Sequence, residues 1–218
     1  MMIKKISSWV GLLLLGASML AQAASPADFQ PDAGLFDSVT LYGGQGADHN
    51  LRELPGVIAR GDIDWEKSYF LGVGLGKTGP RLGQSIELLQ DTPLAELKQN
   101  YELILLKHHG LQHNAEIGAA YLLRTPDLQL GPVGVNLAAG TGLSYAMGTP
   151  SYEDGPKDDP SRRYPFQLLA LFELEWKLRN VESLSFTTRV HHRCGVYGVI
   201  APPHVGSNFM TVGLRYRF

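Results

Sequence analysis

The sequence predicts an all-β protein, an eight-stranded antiparallel barrel that crosses an outer membrane. Three observations carry this. The chain opens with an export leader; segment after segment alternates with a period of two; and no later apolar run approaches the ~20 residues that a spanning helix needs. A chain that meets lipid without such a helix has the closed barrel as its remaining architecture, because only helices and closed barrels satisfy every backbone hydrogen bond in hydrocarbon.

The leader is MMIKKISSWVGLLLLGASMLAQAAS. Lys4 and Lys5 form a positive region, Val10 to Leu15 a short apolar core, and Ala21-Gln22-Ala23 a small-residue cleavage site. Residues 1–24 are therefore expected to be a signal peptide, too short and wrongly flanked to be a span. Residues 25–218, about 190 residues, make one transmembrane barrel domain. A net charge of −2 implies no nucleic-acid partner. The single cysteine excludes an intramolecular disulfide framework, and a leftover thiol in an exported chain is worth following.

Strands are expected near 36–46, 67–78, 99–109, 112–124, 133–147, 164–177, 182–193 and 208–218, the even count that bacterial barrels have. In "SYFLGVGLGKT" Tyr69, Leu71, Val73 and Leu75 share one face and Gly72, Gly74 and Gly76 the other. In "NAEIGAAYLLR" Ile117, Ala119, Tyr121 and Leu123 oppose Asn114, Glu116, Gly118 and Arg124. In "VGVNLAAGTGLSYAM" Val133, Val135, Leu137, Leu143, Tyr145 and Met147 oppose Gly134, Asn136, Gly140, Gly142 and Ser144. In "FQLLALFELEWKL" Phe166, Leu168, Phe172, Leu174 and Trp176 oppose Gln167, Glu173, Glu175 and Lys177. In the final "NFMTVGLRYRF" Met210, Val212, Leu214, Tyr216 and Phe218 oppose Phe209, Thr211, Gly213, Arg215 and Arg217. The apolar faces meet lipid. The small residues suit a narrow interior packed with side chains. Inward charges of both signs (Glu102, Glu116, Glu173, Glu175, Lys177, Arg189, Arg215, Arg217) are expected to pair, since buried charge demands a partner, which argues against a wide pore. Segments 47–66 and 79–98 are long enough to hold a further short strand or helix, and 151–164 is a polar loop.

Two motifs are set aside. "LGVGLGKTG" places Leu71 where a phosphate-binding loop needs its first glycine, and the segment alternates as a strand does. His108, His109 and His113 cluster at a turn, but no cysteine or acidic pattern completes a tetrahedral zinc site, so they are read as exposed turn residues and no metal or cofactor is expected.

The penultimate strand carries the chemistry. In "ESLSFTTRVHHRCG" Leu184, Phe186, Val190, His192 and Cys194 share the lipid face, while Ser185, Thr187, Arg189, His191 and Arg193 face the lumen. His192 and Cys194 are two residues apart, roughly 6.6 Å along a strand. Asn208 at the start of the last strand has the same facing. A thiol, an imidazole and a carboxamide thus share one outward patch, and a polar set on a lipid face is costly unless it has a task. A nucleophile needs a base in reach, and the base an orienting group; Cys-His-Asn meets that logic.

Here the chain resembles the outer-membrane lipid A 3-O-deacylases, the PagL-type acyloxyacyl hydrolase family. The resemblance spans the leader, the barrel pattern and most clearly residues 184–218. That family has an eight-stranded barrel, a His-x-Ser pair near the end of the penultimate strand and a Glu near the start of the last strand. His192-Arg193-Cys194 matches His-x-Ser with cysteine for serine. The Glu has no counterpart, for no carboxylate side chain lies between Cys194 and the C-terminus, and Asn208 stands nearby instead. The resemblance implies a carboxylic ester hydrolase acting on lipid A, in lipopolysaccharide, or on a related outer-leaflet lipid. Cys194 would be nucleophile, His192 base, and Asn208 the holder of the ring, with Val190, Val196 and Met210 along the acyl chain. The aromatic C-terminal residue of the last strand resembles the signal read by the barrel-assembly machinery. The competing expectation is a non-catalytic barrel with a structural, lipid-binding or small-solute transport role, which the missing carboxylate favours.

Overall fold

In the computed structural model the described residues are 34–148, 150–153, 164–178, 180–181, 183–202 and 205–218. The expected signal peptide and most of the 151–164 loop lie outside them. Eight long strands form one closed antiparallel sheet: β1 (Ser38–Ala47), β2 (Trp65–Arg81), β3 (Lys98–Gly110), β4 (Ala115–Arg124), β6 (Val133–Met147), β7 (Phe166–Leu178), β8 (Leu184–Cys194) and β9 (Gly206–Arg217). A three-residue β5 (Leu128–Leu130) pairs back on β6 beyond the barrel wall. β1 bonds to both β2 and β9, which closes the cylinder and removes every long edge. The expected strands agree in number, order and facing.

Ser38 opposes Arg217, so the two ends of the barrel chain meet at one rim, called here the terminal rim. The ends of β1, β3, β6 and β8 and the starts of β2, β4, β7 and β9 lie at the far rim. The two long segments of the first half hold helices rather than strands. One is α1 (Leu54–Arg60), which starts at a proline and ends on Gly61 at φ 73°. The other, between β2 and β3 at the terminal rim, holds three single turns, Leu82–Ser85, Glu87–Leu89 and Pro93–Glu96.

The outward band carries exposed Leu71, Leu105, Leu137, Leu143, Phe172, Trp176 and Phe186, the composition a wall in hydrocarbon requires. The interior is packed in three layers. Nearest the terminal rim, Glu173 accepts from Arg124 (2.7 Å), Arg189 (2.5 Å) and Arg215 (2.9 Å), Glu175 from Arg124 (2.9 Å) and Arg217, and Glu102 from Arg189 (2.6 Å) and the Tyr42 hydroxyl (2.6 Å). Gly74 and Gly213 make this possible: a Cβ on either would sit 2.8 Å from the Tyr42 ring, and one on Gly74 also 2.2 Å from Glu102. Above lies an apolar layer of Phe70, Ile104, Leu106, Leu122, Leu169, Leu171 and Phe209. At the far rim Glu116 bonds His108 (3.0 Å) and His191 (3.1 Å), and Arg193 pairs with Glu153, which reaches in from the loop after β6. The expected interior charge network is therefore present.

One expectation is corrected. His108 is not an exposed turn residue: β3 continues to Gly110, His108 has the inward parity of Glu102 and Ile104, and it is fully buried. The turn is confined to 111–114. His109 and His113 are exposed as expected.

Candidate active site on the outer wall of the barrel

β8 and β9 run antiparallel with His192 opposite Asn208, Val190 opposite Met210 and Cys194 opposite Gly206. These residues share the outward parity of the wall, while His191, Arg193 and Phe209 between them are buried inside. The two adjacent histidines thus have opposite tasks: His191 belongs to the interior network, His192 to the wall.

The His192 ring is held from one side. Its Nδ1 lies 2.7 Å from Asn208 Oδ1, and Asn208 Nδ2 donates to the His49 carbonyl at 2.7 Å. A carbonyl only accepts, so the amide must turn its nitrogen to His49 and its oxygen to the ring. Nδ1 is then the protonated nitrogen, and Nε2 keeps its lone pair. Asn208 is buried although it faces outward, because residues 48–64 fold over it.

That cover has an apolar underside. Leu54 and Val57 of α1, with Leu51 and Ile63 on either side, pack against Ala47, Val190 and Met210. The expected acyl-binding positions Val190 and Met210 are therefore under α1. Arg52 reaches the Tyr197 hydroxyl (3.0 Å) and links this cover to the turn that follows β8. On the other side of β8, β7 places Ala170 opposite His192 and Leu168 opposite Cys194.

Cys194 is half-buried on the same face, and among the described residues its thiol makes no hydrogen bond to the His192 ring. The fold brings Asn208 onto the ring and leaves the thiol one pleat further along. Val196 follows in a turn where it and Tyr197 both adopt φ 52°. For a β-branched valine this left-handed conformation costs on the order of 1–3 kcal/mol. His49 was missed by sequence reasoning, which left a short strand or helix open for the segment that holds α1. Pro55 near the start of α1 and Gly61 after its end are the signals that mark the helix; His49 acts through its backbone carbonyl, which no residue type announces.

The architecture is that of the small outer-membrane β-barrels. No family model and no curated protein matches the chain. Among solved structures, the outer membrane enzyme PagL aligns with a TM-score of 0.51 over 83% of this chain and 99% of that one, at 10% identity. The Neisserial surface protein A (NspA) aligns at 0.47 over 84% and 97%, at 12% identity. At 10% identity the likeness to PagL is one of fold.

Proposed function

We propose that the chain is an outer-membrane hydrolase that removes an ester-linked acyl chain from lipid A or a related outer-leaflet lipid. The observation that carries this reading is the His192–Asn208 bond on the outer wall, two residues before the lone cysteine. With the terminal rim on the periplasmic side, this patch lies at the level of the outer-leaflet head groups. The likeness of fold to PagL supports the reading.

The chemistry follows from the tautomer. Nε2 of His192 takes the thiol proton as Cys194 sulfur attacks the acyl carbonyl. The alkoxide leaves with that proton, and a thioester remains on Cys194. Water, deprotonated by Nε2, then releases the fatty acid and restores the thiol. Asn208 holds the ring but cannot offset the imidazolium charge as a carboxylate does. A thiol needs less help than a hydroxyl, because it is more nucleophilic and ionises more readily. The thiol must swing toward Nε2 on substrate binding, and catalytic hydrogen bonds commonly tighten only at that stage.

The test is lipid A deacylation in purified outer membranes, with wild type beside Cys194→Ala, His192→Ala and Cys194→Ser. Loss of product in the first two and retention in the third are expected; equal product in all four sinks the proposal. One observation favours a second reading, a non-catalytic barrel whose patch only contacts lipid: the thiol is not bonded to the ring while α1 occupies Val190 and Met210. Under that reading none of the variants changes the lipid.

A further inference from the structure

We propose that the lumen at the terminal rim is a binding pocket for a small free oxyanion of phosphate size. A cavity of about 80 Å³ opens there, more than twice the ~30 Å³ that a water occupies in the liquid. Its wall is built from residues of β1, β2, β3, β4, β7 and β9, on the opposite end of the barrel from the His192 patch.

Two accounts of the wall point to an anion. The first is charge. The network beneath the apolar layer sets four arginines, Arg124, Arg189, Arg215 and Arg217, against three glutamates, Glu102, Glu173 and Glu175. Lys177 is matched by Asp127 (3.0 Å), and Asp37 at the rim accepts from the Thr78 amide (2.7 Å) and adds one negative charge there. Lys98 also lines the cavity, and among the described residues it has no ion-pair partner. Buried charge such as that of Arg124, Arg189 and Arg215 calls for a counter-charge, and Lys98, exposed at the mouth of the cavity, adds a positive charge where an anion would enter.

The second is hydrogen bonding. Each of these wall acceptors already receives a donor: Asn100 Oδ1 receives Arg124 Nε (3.2 Å), Thr40 Oγ1 receives Arg215 Nε (3.0 Å), and Glu102 receives Arg189 and Tyr42. What remains unmatched is donors, namely the Asn100 amide NH₂, the Thr40 hydroxyl hydrogen and the Lys98 ammonium. A surplus of donors with a surplus of positive charge fits a ligand that only accepts, which is an oxyanion. The cavity lies inside the strand wall, so the ligand is a free ion rather than a lipid head group.

The experiment uses the full chain refolded in uncharged detergent micelles at low chloride, titrated calorimetrically with inorganic phosphate. One phosphate per barrel is expected, with affinity falling as salt rises. Lys98→Gln should weaken binding roughly five-fold or more, about 1 kcal/mol. Lys107→Gln, on the outer wall, should leave it unchanged. Because Lys98 is exposed at the rim, its replacement keeps the fold, which retained heat-modifiable migration verifies. As a second readout, phosphate should slow amine labelling of Lys98. Absence of binding, equal binding by the two variants, or protection of Lys98 by anionic phospholipid but not by free phosphate would each overturn the proposal.

Discussion

At the scale of single residues, the Asn208 amide is the most constrained group of the candidate site. It gives a hydrogen to the His49 carbonyl and takes one from His192. An aspartate there restores the charge a base-orienting group usually carries, but it sets a carboxylate oxygen against the His49 carbonyl. Asn208→Asp is therefore expected to cost about 1–3 kcal/mol, the penalty for a broken buried hydrogen bond. The loss should appear as faster proteolysis within 48–64, with the barrel intact. Unchanged proteolysis would mean that His49 does not fix the amide. The outward parity of His192, Cys194 and Asn208 was legible, because a period of two assigns every residue of a strand to a face. The bond lengths were not, since they depend on the register between β8 and β9 and on a loop more than 140 positions away in sequence. His108 shows the limit from the other side: its parity was readable, but the extent of the turn decided whether parity applied.

At the scale of elements, α1 is a short helix whose stability comes from docking. Seven residues are too few to hold a helix in water alone. Leu54 is almost wholly buried against the barrel wall. Leu54→Ala removes that anchor, at a cost of roughly 2–5 kcal/mol for a fully buried leucine. Residues 48–64 should then become protease-sensitive while the strands stay protected, and limited proteolysis with mass mapping reads both. Cleavage that spreads into β1 or β2 would show that α1 is part of the barrel's own stability. Sequence alone marked 47–66 as long enough for a helix. It could not say which wall the helix covers, because Leu51, Leu54, Val57 and Ile63 are apolar whatever they pack on.

At the scale of the whole molecule, alternation defined the barrel, and the pairing of inward charges closed its lumen. Glu173 shows how tightly: three arginines converge on it. Glu173→Gln leaves those cations short of a counter-charge, and breaking such a buried set costs about 3–5 kcal/mol. Urea unfolding in bilayers should show the loss. A variant as stable as wild type would mean that water, not protein, fills this layer. The Glu153–Arg193 pair was not legible, because Glu153 lies in a polar stretch with no periodicity to aim it inward.

The proposed acyl-enzyme on Cys194 is open to mass spectrometry of the protein quenched during incubation with lipid A. A fatty-acyl adduct on Cys194 is expected, removed by neutral hydroxylamine and absent from Cys194→Ala and His192→Ala. Deacylation that continues at the wild-type rate in Cys194→Ala, or an acyl group found on another residue, would contradict it.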